Sequence, residues 1–300
     1  MKWRKLGLIF APSGQYPWMQ THAAMPTPLR LGGDVYRVYF GTRDGHNRPH
    51  IGYLEFDLES PGQVLRISQD FVLGPGPRGF FDDNGAYPGC ILEHRGELLL
   101  YYLGRSNGIP PLYYMSIGLA VSSDRGESFR RLFQAPIISR SEFDPWMVST
   151  PFVMKEGDLW RMWYLSGLKW DKVEPVSYYH IKYAESRDGI HWKRDGLICI
   201  DLREGETNIA SPTVLKEDGT YRMWYSYAAT GRGYRIGYAE SADGLLWRRM
   251  DEGAGIDLST SGWDSETIAY PSVFSHEGRK YMLYSGNQFG RDGFGLAVEE

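Results

Sequence analysis

The chain repeats one pattern of apolar and polar positions five times. In each copy an apolar run meets a short polar turn and returns as an alternating, aromatic-rich run such as RMWY, which is typical of a β-hairpin. The copies are AAMPTPLRLGGDVYRVYFGT, GAYPGCILEHRGELLLYYLG, VSTPFVMKEGDLWRMWYLSG, IASPTVLKEDGTYRMWYSYA and IAYPSVFSHEGRKYMLYSGN. Their prolines, Pro26, Pro88, Pro151, Pro212 and Pro271, lie 59 to 63 residues apart.

A third apolar run follows each hairpin, and in the middle three units a fourth run begins at Phe129, Trp192 or Trp247. No long segment keeps a 3.6-residue apolar period, which argues against a helical fold. Four antiparallel strands repeated five times are typical of a β-propeller. The sequence therefore predicts an all-β fold, a five-bladed β-propeller of four-stranded antiparallel blades, with residues 1–300 as a single domain.

The fifth unit ends at GLAVEE without a fourth strand, whereas the chain opens on the strand-like MKWRKLGLIFAP. Trp3 lies 23 residues before Pro26, and the other fourth-strand aromatics lie 20 to 24 residues before the next proline. We therefore expect the N-terminal strand to complete the fifth blade and close the ring. The apolar stretch LGLIFA is also too short for a signal peptide.

Composition narrows the classes of function. The net charge is −4, so no basic field favours nucleic acid, and no apolar run approaches membrane-spanning length. Cys90 and Cys199, the two cysteines, lie in apolar runs that suit buried, reduced thiols. These features predict a cytoplasmic protein without nucleic-acid or membrane partners. No metal or cofactor is expected, since no close His, Cys and Asp spacing of the usual kinds occurs.

The two faces of the predicted propeller differ in their loops. One face has short turns, including the near-identical hairpins SRDGIHW and SADGLLW, in which we expect Asp243 to hold turn backbone. The other has long, varied loops, which are typical of binding sites. Polar and aromatic residues that could bind a ring-shaped ligand such as a sugar gather on the long-loop face: His22, Arg43, Asp44, Asn84, Arg105, Trp146, His180, Asn208, Arg232 and Tyr270. The arginines among them could also bind an acidic or phosphorylated sugar. The alternative for His22 is a loop-holding role, and for His180 a place in the core.

A five-bladed propeller with a proline in each innermost strand resembles the superfamily of arabinanases, β-xylosidases, invertases, levansucrases and mannoside phosphorylases. The resemblance implies a glycan or glycoside at the axis, handled by acids of the inner strands. In arabinanase-like and invertase-like members the catalytic acids commonly sit beside the proline. Here those positions are Met25, Tyr87, Thr150, Ser211 and Tyr270.

The acids lie further upstream, so the family's assignment does not transfer residue by residue. Glu266 and Asp83 both stand five residues before their proline, which makes Glu266 the candidate acid and Asp83 its partner, with Glu206 as a substitute. The resulting hypothesis is a glycosidase or glycoside phosphorylase. Two alternatives stay open. One is a catalytically inactive propeller that binds a carbohydrate or nucleotide sugar. The other is a sialidase-like hydrolase, because SSDRGESF matches the sialidase Asp-box pattern.

Overall fold

The computed structural model describes residues 1–108, 112–171 and 176–300. The described residues form an all-β structure whose strands are, in chain order, β1 (Trp3–Phe10), β2 (Thr21–Gly32), β3 (Val35–Arg43), β4 (Pro49–Asp57), β5 (Val64–Ile67), β6 (Ala86–His94), β7 (Glu97–Asn107), β8 (Tyr113–Ser122), β9 (Arg130–Arg131), β10 (Val148–Glu156), β11 (Leu159–Trp170), β12 (Ser177–Ser186), β13 (Trp192–Lys193), β14 (Ile198–Ile200), β15 (Glu206–Glu217), β16 (Thr220–Ala229), β17 (Arg232–Ser241), β18 (Arg248–Arg249), β19 (Ala269–His276), β20 (Arg279–Ser285) and β21 (Phe294–Glu299). Helical structure is confined there to a 3₁₀ turn, Asp251–Ala254, and one turn at Asn287–Gly290. Among the same residues, no helix has the length and apolar character needed to cross a membrane.

The predicted hairpins are present and assemble into antiparallel sheets. Three sheets have four strands, in the orders β2-β3-β4-β5, β6-β7-β8-β9 and β1-β21-β20-β19. The N-terminal strand thus pairs antiparallel with the C-terminal strand, Trp3 opposite Glu299. The third and fourth repeat units differ from expectation because they form one nine-stranded sheet. A single parallel pair, Tyr179 with Asn208, joins them, and the Asn208 amide also donates to the Ser177 carbonyl at 2.7 Å.

The first strand of each repeat unit lies innermost. These strands contact one another in a closed cycle, β2 to β6, β6 to β10, β10 to β15, β15 to β19 and β19 back to β2. Apolar side chains fill the spaces between neighbouring units, as when Trp163 packs among Val214 and Met223 of the next unit. Burial of these alternating positions explains why the aromatic strand of each hairpin has the pattern that the sequence shows.

The S-x-D-G hairpins have the structural role predicted for Asp243. Its Oδ1 accepts hydrogen bonds from the backbone of Leu245 and Leu246 at 2.8 and 2.9 Å. The Gly244 carbonyl of the same turn accepts a hydrogen bond from the Trp163 indole of the preceding unit at 2.8 Å. The hairpin therefore fixes its own turn and fastens one unit to the next.

A buried acid, a tyrosine and a cation form a repeated contact that we call the clamp. In the second unit the carboxylate of Asp82 accepts from the Tyr102 hydroxyl at 2.9 Å and from Arg131 at 2.7 Å. The equivalent sets are Asp144, Tyr164 and Arg194 in the third unit and Asp264, Tyr284 and Lys5 in the fifth. In the fourth unit Arg249 bonds both Glu206 and the Tyr225 hydroxyl, and that hydroxyl donates to Asp251 in place of Glu206. Each cation stands two residues after its unit's fourth-strand aromatic. The clamp thus ties the loop before the inner strand to the outer strand.

The first unit replaces the clamp with apolar contacts. Phe40 is the 14th residue after Pro26, as Tyr102 is after Pro88, but it has no hydroxyl group. Phe40 and Met19, which precedes the inner strand, are fully buried in the same apolar cluster. In the first unit, apolar contacts of Phe40 and Met19 therefore take the place of the charged clamp.

Replacement of Arg131 by Met should destabilise the protein by about 3–5 kcal/mol, because the fully buried Asp82 would lose its counter-ion. Urea unfolding measures this loss. The control is Arg48→Met, since the Arg48 side chain is 44% exposed in its pair with Asp44, and should cost less than about 1 kcal/mol. Equal losses in the two variants would contradict a stabilising role for the clamp.

Deletion of residues 1–10 should lower the melting temperature sharply. The strand pairs along most of β21, and Trp3, Ile9 and Phe10 are buried, each contributing about 1.5–3 kcal/mol. Arg4→Ala, which alters an exposed side chain of the same strand, should leave melting nearly unchanged. Unchanged melting of the deletion protein would show that the strand is dispensable.

Candidate functional site

Each inner strand changes its pairing register beside the repeated proline. A β-bulge of this kind redirects side chains and is common near functional sites. The residues before four of the prolines, Met25, Thr150, Ser211 and Tyr270, have φ values of 58, 39, 51 and 56°. This left-handed conformation is unfavourable for bulky and β-branched residues, so the surrounding sheets must hold it.

A cavity of about 330 Å³, here called the axial cavity, lies where the five inner strands begin. The loops of the predicted long-loop face contribute to its wall. Its lining is mainly aromatic, aliphatic and cationic: Ala24, Met25, Arg43, Asn47, Tyr87, Leu103, Arg105, Tyr113, Met115, Met147, Ser149, Thr150, Leu165, Tyr179, Ala210, Tyr234, Tyr270 and Phe289. A smaller cavity of about 140 Å³ continues past the prolines and shares Met25, Thr150 and Tyr270 with the first.

The axial cavity carries positive charge that the described residues do not neutralise. Arg43 donates from Nε to the Tyr87 hydroxyl at 2.9 Å and from Nη1 to the Asn47 amide oxygen at 3.0 Å, and both acceptors are uncharged. Arg105 stacks on Tyr113 at 5.3 Å from the ring centre, and its buried Nε has no hydrogen-bond partner among the described residues. No carboxylate of residues 1–108, 112–171 or 176–300 is part of the cavity lining. The cavity therefore offers guanidinium groups with donors to spare.

Burial keeps the polar groups around these arginines in their neutral forms. Burial, and then the charges of Arg43 and Arg291, lower the pKa of His22 to about 4. Burial also raises the pKa values of Tyr179, Tyr234 and Tyr270 well above the ordinary phenol value. The three phenols are consequently protonated at neutral pH. Tyr179 and Tyr234 share a hydroxyl–hydroxyl hydrogen bond.

The lining contains a buried hydroxyl, that of Ser149, without a hydrogen-bond partner among the described residues. Ser149 is 1% exposed, and its Oγ has no hydrogen-bond partner within the described chain. An unpaired buried hydroxyl costs free energy unless a ligand or water completes it. Ser149 therefore offers the axial cavity a polar contact beside the apolar Met147 and Leu165.

A second cavity of about 400 Å³, here called the side cleft, adjoins the axial cavity and shares Tyr234 and Phe289 with it. Its polar lining includes Thr207, Asn208, Arg232, Thr267 and Gln288. Arg232 also lines a further, charged depression that includes Arg203 and Glu206. The cavities thus adjoin one another from the axis outwards across the third, fourth and fifth units.

The predicted binding residues divide between these cavities and the surrounding loops. Arg43, Arg105 and Tyr270 line the axial cavity, and Asn208 and Arg232 line the side cleft. The others stand outside both linings, namely His22, Asp44, Asn84, Trp146 and His180. Of these, Asp44 accepts bonds from Arg48 and from the backbone of His46, whereas His180 is buried and bonds Asp201 at 2.9 Å.

The predicted catalytic carboxylates also lie outside the axial cavity lining. Both oxygens of Glu206 accept from Arg249 at 2.8 Å, which makes this acid part of a clamp. Asp83 accepts from the Gly79 backbone at 2.9 Å. Glu266 is exposed, and its neighbour Thr267 lines the side cleft. The catalytic roles of these three residues stay predictions.

Several lining residues were missed as candidates although the sequence held a signal for them. Tyr87 and Thr150 occupy the position before a repeated proline, where the resemblance placed functional residues, and both line the cavity. Tyr179 and Tyr234 stand where a third strand begins, at the edge of the long-loop face. Phe289 gave no signal, because its position depends on the conformation of one loop.

Two relatives cover the whole of this chain and are themselves covered in full. They are "Uncharacterized protein Rv1502" and "Uncharacterized protein MT1551", from two strains of Mycobacterium tuberculosis, each 44% identical over 301 residues. A more distant relative is the probable arabinan endo-1,5-α-L-arabinosidase C of Aspergillus fumigatus. It is 30% identical over 116 residues, which are 37% of this chain and 33% of that protein.

No family model matches the chain. Among solved structures, one described as a glycoside hydrolase superposes with a TM-score of 0.76 at 19% identity, covering 98% of this chain and 90% of that one. The endo-arabinase of Bacteroides thetaiotaomicron gives 0.67 at 15% identity and 98% coverage of both chains. The β-fructofuranosidase BmSUC1 of Bombyx mori gives 0.64 at 15% identity, with 96% of this chain and 62% of that one covered.

The sequence identity over complete chains shows the family, whereas the superpositions show the fold. The solved structures share less than 25% identity with this chain, so they show likeness of fold alone. The 44% identity across complete chains shows that this chain and the mycobacterial protein are members of one family. The resemblance noted in the sequence is thereby confirmed at the level of fold. The chain belongs to one family with the two mycobacterial proteins, and its fold is the β-propeller of the arabinanase-like and invertase-like glycoside hydrolases.

Proposed function

We propose that the chain binds an anionic sugar residue, such as a hexuronic acid, in the axial cavity. The observation that carries the proposal is the pair of arginines, Arg43 and Arg105, lining a cavity without an acidic residue among those described. A guanidinium matches a carboxylate or phosphate in a two-bond geometry. The anion of the ligand would supply the charge that the cavity lacks.

The rest of the lining suits the body of a sugar. Protonated phenols of Tyr179, Tyr234 and Tyr270 can donate to ring and hydroxyl oxygens, and Ser149 has an unpaired hydroxyl. Aromatic and methionine side chains supply apolar contact for sugar C–H faces, as in many ligand sites with a few polar anchors. A cavity of about 330 Å³ lies at the lower end of the usual range for small-ligand sites.

The architecture proposed with this site is one domain of five blades around one axis, over residues 1–300. The closed cycle of contacts between the five inner strands supports the count of five. The nine-stranded sheet then comprises two blades joined by the pair of Tyr179 with Asn208. Pairing of β1 with β21 supports closure of the ring by the N-terminal strand.

Arg43→Gln and Arg105→Gln should each weaken binding of D-glucuronate or D-galacturonate by roughly 10- to 100-fold, the loss expected for a charge-assisted contact. Isothermal titration calorimetry measures the affinities. Arg78→Gln is the matched control, because Arg78 is an exposed arginine of the same face and lines neither cavity. Equal binding of D-glucose and D-galactose by the wild type, or unchanged affinity in both cavity variants, would contradict the proposal.

A second candidate function, glycoside phosphorolysis, is favoured by the same two arginines. In this reaction phosphate attacks the anomeric carbon, the glycosidic C–O bond breaks, and an acid gives its proton to the departing oxygen. A cationic cradle would hold the phosphate, and Glu266 is the predicted acid. Simple hydrolysis instead requires two carboxyl groups across one bond, at about 5–5.5 Å for retention or 6.5–9.5 Å for inversion.

The sialidase-like alternative requires three arginines and a tyrosine nucleophile. Two arginines line the axial cavity, and the Tyr87 hydroxyl accepts a hydrogen bond from Arg43. An acidic partner for the tyrosine is not among the described residues of the lining. Aryl sialosides therefore belong in the substrate panel.

A panel of aryl glycosides, tested with and without inorganic phosphate, distinguishes these reactions. The rate at which the phenol is released is measured in each case. Phosphorolysis predicts release that depends on phosphate and falls by roughly 10²- to 10⁴-fold in Glu266→Gln, the usual contribution of a general acid. Hydrolysis predicts phosphate-independent release that also falls in Asp83→Asn. Glu204→Gln is the control, as an exposed acid in a loop of the same face. Release unaffected by either substitution would reject both catalytic assignments.

A further inference from the structure

Phe289 stands between the axial cavity and the side cleft. It lines both the axial cavity and the side cleft, as does Tyr234. The two rings meet edge to face, with centroids 6.0 Å apart and planes at 74°. Despite this contact, Phe289 is 51% exposed. Its ring thus forms part of the wall between the cavities and leaves a face open.

The backbone that presents Phe289 is strained. Gln288 has φ 51° and ψ 46°, and Phe289 has φ 61° and ψ 33°. Two consecutive side-chain-bearing residues in the left-handed region are unfavourable, and such strain persists only where the surroundings impose it. Phe289 is therefore held in place by the rest of the fold rather than by local preference.

Asn287 supplies that constraint. It is buried, and its Oδ1 accepts from the backbone of Glu266 at 2.8 Å and Thr267 at 3.2 Å. Its Nδ2 donates to the Gly262 carbonyl at 2.9 Å, and its backbone N–H donates to the Trp263 carbonyl at 2.7 Å. Asn287 thus fastens the strained turn to the segment that leads into β19.

We propose that Phe289 and Tyr234 separate two sugar subsites, so that the ligand is a glycan of at least two residues. The anionic residue occupies the axial cavity, and a neutral residue occupies the side cleft against the open face of Phe289. This inference rests on the proposed function and adds the length of the ligand and the side of the axis towards which it extends.

The side cleft fits a sugar without a formal charge, because its charged lining residues, Asp171 and Arg232, have opposite signs. Thr207, Asn208, Thr267 and Gln288 offer hydroxyl and amide groups, which pair with sugar hydroxyls as donors or acceptors. The exposed aromatic ring offers the C–H face of a sugar an apolar surface at little entropic cost, because a phenylalanine has only two side-chain torsions. The charged depression beyond Arg232 lies further out, where a longer glycan would continue.

Calorimetry with D-glucuronate and D-galacturonate, each free and as a glycoside of a neutral hexose, tests the inference. We expect wild type to bind at least one disaccharide about tenfold or more tightly than the free acid. Phe289→Ala should remove that gain, so that the disaccharide and the free acid bind the variant with similar affinity. Phe289→Tyr should retain the gain, because it keeps the ring.

Two further variants separate recognition from folding. Phe289→Gly should melt no lower than wild type, since glycine occupies the left-handed region without steric cost, yet it should lose the disaccharide gain. Phe133→Ala removes another exposed phenylalanine, which lines neither cavity, and should bind as wild type does.

The outcomes distinguish this inference from the function on which it rests. Binding of a free hexuronate with no gain for any disaccharide would overturn the two-subsite inference and leave the proposed function intact. A disaccharide gain that survives Phe289→Ala would overturn the role of Phe289. Absence of hexuronate binding in every form would overturn the proposed function, and this inference with it.

Discussion

The pairing of a buried carboxylate with a tyrosine and a cation is the contact on which the long-loop face depends. In four of the repeat units it joins the loop before the inner strand to the fourth strand, as Asp82 does with Arg131. A carboxylate removed from water needs a counter-ion and hydrogen bonds, so each member of the set constrains the others. The clamp consequently holds in place the ends of the loops that line the cavities.

The same contact explains the acids of this face. Asp82, Asp144 and Asp264 lie shortly before an inner strand, and Glu206 is the first residue of one. Of these four acids, Glu206 was a catalytic candidate from the sequence. In the structure their charges are neutralised by Arg131, Arg194, Arg249 and Lys5. The arginines of the axial cavity have no such partners among the described residues. The carboxylates thus serve the scaffold, and the cavity retains cations that no described residue neutralises.

Periodicity was enough to predict the hairpins, the inner prolines and the turn role of Asp243, because each depends on local spacing. It also placed Arg43, Arg105 and Tyr270 on one face, where the structure shows them lining the axial cavity. It did not indicate the contact of Glu206 with Arg249, because that contact joins residues 43 positions apart. Nor did it indicate Phe289, whose orientation depends on Asn287 and a contact with a distant loop.

The one parallel pair between the third and fourth units has a consequence for recognition. Tyr179 belongs to the wall of the axial cavity and Asn208 to that of the side cleft, and their backbones are joined in a single sheet. The distance between the two cavities on this side is therefore fixed by main-chain hydrogen bonding. For the glycan proposed above, this fixed spacing would favour glycosidic linkages that set successive sugar rings at a matching separation and tilt.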